Sequence, residues 1–245
     1  MPFTFSHPAL ILPVARRNTA FFSVSGLIVG SLVPDFEYFF SLQKATSHFS
    51  HTLPGLVGFD LPTGLLVCFL FHFFIKQPLA AHLPVAWLQR VQPFLHLRWQ
   101  KLFTRHLVAL IVSVLLGALL HILWDLVVHG TADLLAPLLI APGSNPSGVK
   151  EMNLYYGIWV LYSLAGAFFL FRALYRLPRN KSLSPKTAKP WFWFTLLGLT
   201  VVVSFLHIRQ NPYYSIDDMA VIAIAYCLLF LLLICAGVIL FRTKG

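Results

Sequence analysis

The sequence predicts an all-α protein, a polytopic transmembrane helical bundle of about six spans with a short N-terminal half-helix and an interfacial amphipathic helix. Three observations lead there. Only 11% of the 245 residues are charged against 58% hydrophobic, and mean hydropathy is +0.77. Soluble domains carry roughly a quarter charged residues, so this chain cannot clothe a water-facing surface. Apolar runs of roughly the 17–25 residues that a bilayer core requires recur along it. The 18 Lys and Arg residues fall into blocks between those runs.

Taken in order, Ser6 to Arg17 is a short apolar helix candidate, too short to span at about 1.5 Å per residue. A second run covers Thr19 to Val33 and ends at Pro34-Asp35-Phe36-Glu37. If the two fold back as a hairpin, His7 and Asp35 return to one end and Arg16-Arg17 lies at the other. The run from Leu53 to Ile75 contains Asp60, which needs a partner at that depth, and Pro62, which is expected to kink it. His72 lies three turns beyond Asp60 and off its face.

Residues 76–105 form a connector in which Arg90, Arg98, Lys101 and Arg105 alternate with Trp87, Phe94, Trp99 and Phe103. Interleaving of that kind predicts a helix lying in the headgroup layer, with membrane lipids as its partner. Nucleic acid is the sharper alternative, and membrane proteins show the same pattern routinely. Further spans are expected at His106–His129, Leu154–Phe171, Trp191–His207 and Met219–Phe241. Between them lie a Pro/Gly/Ser-rich loop (130–153), a basic linker (172–190) and a turn whose Asp217 and Asp218 can cap the last helix. The whole of 1–245 reads as one integral membrane domain. Cys68, Cys227 and Cys235 sit singly in apolar runs and read as small hydrophobes. The N-terminus has no basic region ahead of an apolar one, so no cleavable signal peptide is expected.

With six crossings, all the cations except Lys44, Lys150 and Arg209 share one side. The positive-inside rule makes that side cytoplasmic. Asp35, Glu37, Asp125, Asp133, Asp217 and Asp218 then map to the outer end, as do His48, His51 and His129, while His7 and His121 can reach it. Helix caps alone would divide between the two sides, whereas here carboxylates and histidines gather opposite the cations.

Within that gathering, His121, Asp125 and His129 recur every four residues and stack on one helical face. Imidazole, carboxylate and imidazole suit a divalent cation such as zinc. The expected ligands for one or two ions are His7, Asp35, His51, His121, Asp125 and His129. Asp35 and Glu37 are the carboxylates expected to take a proton from water, with His129 as an alternative outer group. The competing reading is a helix end where His121 and Asp125 satisfy each other and His129 faces water.

The motif Pro2-Phe3-Thr4-Phe5-Ser6-His7-Pro8, with Gly30-Ser31-Leu32-Val33-Pro34-Asp35-Phe36-Glu37-Tyr38, Ser50-His51-Thr52-Leu53-Pro54-Gly55 and Phe59-Asp60-Leu61-Pro62, resembles a bacterial membrane family of unknown function that opens with P-F-T-x-S-H-P. More distantly, His7, Pro34-Asp35, His51 and His121-x-x-x-Asp125 are similar in order to the YdjM-type inner-membrane metal-dependent hydrolases. Those resemble zinc-dependent phospholipase C in their Asp, His and His-x-x-x-Asp helix. The usual T-H-S is Ser50-His51-Thr52 here, and the preceding H-R-G is missing. The resemblance implies a hydrolase of the bacterial cytoplasmic membrane, and the placement of the polar cluster at the outer headgroup level alone adds the expectation of a phosphoester or lipid-linked ester as substrate. Two other classes stand beside it. A metal-ion or proton transporter would use His7, Asp35 and Asp60 as relay groups, although only Pro62-Gly64 suggests a broken helix and no repeat is visible. A non-catalytic structural protein would use its His/Asp pairs to fix helix register.

Overall fold

The computed structural model describes residues 3–13, 22–44, 49–95, 106–139, 148–180 and 190–242; for 132–133, 136–139 and 148–154 the description is of backbone alone. Every regular element among them is helical. The chain opens with a 3₁₀ helix, Thr4–Ile11, followed by α1 (Val24–Gly30), a 3₁₀ turn at Val33–Asp35, α2 (Phe36–Ser41) and a 3₁₀ turn at Phe49–His51. Next come α3 (Leu53–His82), α4 (Val85–Leu95), α5 (Leu107–Leu139), α6 (Gly148–Tyr175), α7 (Trp191–Ile208) and α8 (Ile216–Arg242).

Five of these helices are long and apolar enough to cross a membrane: α3, α5, α6, α7 and α8. The expected crossing over Thr19–Val33 is instead, where described, the seven-residue α1, about 10 Å long and too short to span. Ser23 starts it by accepting a hydrogen bond from the Gly26 amide, and a turn at Ser31-Leu32 ends it before Pro34. Two further boundaries differ from expectation. Lys76–His82 continues α3 rather than opening the connector: a π-helical stretch, Phe71–Ile75, leads into it, and Pro78 falls in the first turn after that stretch. Helix α5 runs on to Leu139, since Ala132, Leu134 and Leu135 favour helix and no strong breaker intervenes until late. The expected loop 130–153 thus narrows to 140–147, outside the described residues.

Packing divides the chain into two compact units, Met1–Pro34 with Ser50–Leu65 and Val108–Arg176, and Asp35–Phe49 with Leu66–Leu107 and Leu177–Gly245. The second unit is built on the α7–α8 hairpin. Ser215 caps α8: its Oγ accepts from the Asp218 amide at 3.1 Å, while Asp218 Oδ2 accepts from the Ser215 amide at 2.9 Å. This reciprocal pair is a capping box, so Ser215 holds the cap expected of the aspartates and Asp218 answers it. Asp217 and Asp218 also anchor Lys44, through Nζ at 2.7 Å and through the amide at 2.7 Å. In α4, Arg90 is buried, and its guanidinium donates to the Leu177 carbonyl at 2.8 Å. That cation therefore fastens the basic linker and does not face headgroups. His82 stacks on Phe192 at 4.5 Å, and its carbonyl accepts from Trp193 Nε1.

The first unit is organised by small residues. A Cβ at Gly26 would stand 2.9 Å from Ser113 Cβ, one at Gly30 would stand 2.2 Å from the Val114 carbonyl oxygen, and one at Gly117 would stand 2.5 Å from the Leu27 carbonyl oxygen. Gly26-x-x-x-Gly30 of α1 therefore meets Ser113-x-x-x-Gly117 of α5 backbone to backbone, the close crossing that small residues four apart permit in membrane helices. Ser113 Oγ adds a hydrogen bond by accepting from the Ser23 amide at 2.8 Å. Along α5 and α6, Val128 and Ile158 form a buried pair ringed by Trp124, Tyr155, Trp159 and Tyr162.

Candidate metal centre

The small-residue crossing delivers a carbonyl to a histidine. One turn beyond Gly117 on the same face of α5 lies His121, fully buried, and its Nδ1 donates to the Ser31 carbonyl at 2.9 Å. One turn further lies Asp125, 7% exposed. Ser113, Gly117, His121 and Asp125 thus form a single stripe at i+4 spacing, packing at its inner part and chemistry at its outer part.

His7 arrives from the N-terminal 3₁₀ helix, which docks on α6. The Phe3 amide donates to Ser163 Oγ at 2.8 Å, and a Cβ at Gly166 would stand 2.7 Å from Ser6 Cβ, so only glycine admits the turn. The tighter 3₁₀ winding places the Thr4 carbonyl, three residues back, 3.0 Å from His7 Nδ1. The His7 ring is fully buried and stacks on His121, with centroids 3.9 Å apart and planes 11° apart. His51 closes the 3₁₀ turn ahead of α3, whose N-cap Thr52 accepts from the Gly55 amide. His51 Nδ1 pairs with Ser50 Oγ at 2.9 Å, and its ring meets His121 edge-on at 5.4 Å.

Three imidazoles from three distant segments turn their Nε2 atoms to one carboxylate. His7 Nε2 stands 3.3 Å from Asp125 Oδ1, and His51 and His121 Nε2 stand 3.7 and 3.8 Å from Oδ2. A carbonyl oxygen can only accept, so Nδ1 of His7 and of His121 carries the hydrogen. A doubly protonated His7 would donate from Nε2 to Asp125 Oδ1 at 3.3 Å, whereas in a neutral ring Nε2 is a lone pair directed at an anionic oxygen that is also an acceptor. A cation between them turns that opposition into coordination. The separations suit it, because tetrahedral ligands at about 2.0–2.1 Å from zinc lie about 3.3 Å from one another. The Nδ1–H to carbonyl bonds are the outer contacts that metal-binding histidines use to fix tautomer and ring orientation. The ligand atoms of His7, His121 and Asp125 all fall within 4.8 Å of one another. Three nitrogens and an oxygen form a borderline donor set that fits zinc, and water would enter by expansion to five-coordination or in place of one of the four.

The other expected residues are placed as follows. Asp35 is buried and closes the 3₁₀ turn Val33–Asp35 at the start of the second unit. Glu37 is half-buried in the first turn of α2. His129 is exposed, its ring edge-on to Trp159 at 5.9 Å, so the structure does not group it with the other three histidines. The reason is helical drift: each step of four residues overshoots a turn by about 40°, and two steps from His121 carry His129 toward α6. His48 lies outside the described residues. The sequence reading missed the holders of the imidazoles, namely Thr4, Ser31 and Ser50. A signal existed for two of them, since a Ser immediately before His51 and a Thr three residues before His7 are local partners. Ser31 belongs to no local pattern; only the paired small-residue motifs of α1 and α5 point to it.

The fold and site together define a polytopic α-helical membrane protein with a buried three-histidine, one-aspartate cluster. The chain belongs to the family described as Domain of unknown function (DUF4184), which it matches over residues 1–241. No curated protein and no solved structure matches it.

Proposed function

We propose that this protein is a membrane-bound metal-dependent hydrolase whose zinc-type cation is held by His7, His51, His121 and Asp125. The observation that carries the proposal is the convergence of three imidazole Nε2 atoms on the Asp125 carboxylate. A divalent cation bound there supplies a Lewis acid for an ester or phosphoryl oxygen and ionises water near neutral pH. The chain supplies the rest. Carbonyls of Thr4 and Ser31 hold two ligand rings in place, so little reorganisation accompanies reaction. Asp35 and Glu37 are the carboxylates proposed to take the proton from water. Asp35 follows Ser31, whose carbonyl holds His121, by four residues, a reach of at most about 14 Å.

Several features favour an ester or phosphoester carried on a lipid. His51 and Asp125 are the ligands with any exposure, and their chain neighbours Leu53 and Leu126 are 76% and 63% exposed, as side chains facing acyl chains are. Trp124, Tyr155, Trp159 and Tyr162 gather at the same level of α5 and α6, where aromatic residues mark a membrane interface. The positive-inside rule supports an outer-face position for that interface, with the basic segments in the cytoplasm. A transporter has less support. Inward from the centre, a Cβ at Gly64 would stand 2.5 Å from Val114 Cγ1, so no hydrated path runs between α3 and α5 at that point.

Elemental analysis of the detergent-purified protein tests the proposal. Near-stoichiometric zinc or another transition metal is expected, and its loss in His121→Ala and in Asp125→Ala. Chelator-sensitive hydrolysis of phospholipid or lipid-linked phosphoesters in mixed micelles is expected of the wild type. Absence of stoichiometric metal, or metal content unchanged in both variants, overturns it.

A further inference from the structure

Among the described residues of the first unit, one fully buried ionisable side chain is not used by the reading above. Asp60 is 0% exposed, about two turns into the membrane-spanning helix α3, and closes a five-residue π-helical stretch, Leu56–Asp60. A carboxylate at that depth is costly without a cation nearby, and π-turns inside α-helices concentrate at functional sites. Two contacts fix its level. At the head of α3, His51 reaches Asp125 and His121; thirteen residues on, Gly64 packs on Val114. Helices α3 and α5 therefore run antiparallel, and between those points Asp60 falls opposite Gly117 and Ala118. That is about one helical turn, ~5 Å along the axis, inward of His121.

The charge of the centre gives this placement its meaning. The three imidazoles bind as neutral ligands and Asp125 contributes one negative charge, which leaves a divalent cation half balanced in a low-dielectric surrounding. Asp35 and Glu37 are assigned to proton transfer, so their charge changes during turnover. We propose that Asp60 is the fixed second anion of the centre, a positioning residue that balances the cation's charge from the inner side and selects a divalent ion. This inference rests on the metal-centre reading and adds a residue to it. The close packing of Gly64 on Val114, immediately inward, keeps water from that side of Asp60, and in such a low-dielectric surrounding a charge one turn away is weakly screened.

The test is titration of the metal-stripped, full-length protein with Zn²⁺ against a chromophoric chelator. Wild type and Asp60→Glu are expected to bind one ion with similar affinity. Asp60→Asn, close in shape and still able to hydrogen-bond, is expected to bind one ion at least tenfold more weakly. Thermal unfolding of each metal-free variant identifies a folding defect; if Asp60→Asn does not fold, a tenfold loss in folded Asp60→Ser serves in its place. Affinity within twofold of wild type in a folded variant overturns the inference while leaving the metal centre intact. Binding of two ions by wild type and one by Asp60→Asn also overturns it, because Asp60 would then be a ligand of a second site. Failure of the wild type to bind Zn²⁺ removes the centre itself and this inference with it.

Discussion

His7 and Asp125 stand 118 residues apart in the chain and 3.3 Å apart in the fold. The pairing depends on two separate docking events, the N-terminal 3₁₀ helix on α6 and α1 on α5. Each is permitted by glycine: Gly166 admits Ser6, and Gly117 admits Leu27 and Ser31. The ligands are therefore assembled by backbone proximity, and the first predictions concern what holds them.

Ser50→Ala removes a hydrogen-bond partner of His51 Nδ1 without touching a ligand. Loss of such an outer contact typically weakens metal binding by about 10–100-fold. The expected result is a weaker Zn²⁺ affinity in that range at unchanged stoichiometry, measured by chelator competition. An unchanged affinity would show that His51 is oriented by other contacts.

Acid should strip the centre. A cation binds the deprotonated imidazoles, so each ligand that must give up a proton makes affinity rise with pH. The sign is the same for all three histidines: protonation and metal occupancy compete, so occupancy falls as pH falls. Dialysis at about pH 5 and about pH 7.5, followed by elemental analysis, is expected to give depleted and loaded protein respectively. Equal retention at both would separate the metal from the histidines.

The legible part of this protein was what repeats along the chain. Helical class and the spans from α3 to α8 follow from long apolar runs, whose signal survives whatever the neighbours do. His121 and Asp125 were legible for the same reason, because i+4 spacing on one helix is local geometry. His129 shares that spacing, yet accumulated rotation carries it to Trp159. The true extent of α1 was hidden, because an apolar run of fifteen residues does not reveal that a serine cap and a turn before Pro34 leave only seven in helix. Ser31 as a holder of His121 was hidden more deeply. It acts through its backbone carbonyl, which any residue possesses, and only the approach of α1 to α5 makes it specific.

Glycine positions give a paired stability test. A Cβ at Gly117 meets the backbone of α1 at 2.5 and 2.8 Å, where nothing can yield without moving the helix. Gly117→Val should cost about 1–3 kcal/mol or more through overpacking. It should also lower metal content, because Ser31 retreats from His121. At Gly157 of α6 an added Cβ meets nothing within 4 Å. Gly157→Ala should be neutral or stabilising by up to about 1 kcal/mol from helix propensity alone, with metal content unchanged. Thermal unfolding with elemental analysis distinguishes the two, and equal behaviour would remove the small-residue crossing as the device that positions His121.

Sidedness can be read from labelling either side of α7. Tyr213, 91% exposed, lies in the turn after that helix, and Arg179 is exposed in the basic linker before it. If the basic blocks face the cytoplasm, Tyr213→Cys in a background with Cys68, Cys227 and Cys235 replaced by Ala should react with a membrane-impermeant maleimide on intact spheroplasts. Arg179→Cys in the same background should react only after permeabilisation. The argument is electrostatic: cationic loops are retained on the cytoplasmic side, and the linker of Arg179 is rich in Lys and Arg while the turn of Tyr213 carries Asp217 and Asp218 nearby. The His51–Asp125 opening would then be reached from the outer face, since α3 and α5 both turn that end away from their basic flanks. The opposite labelling pattern would place the centre at the cytoplasmic face and direct the search for substrate to the inner leaflet.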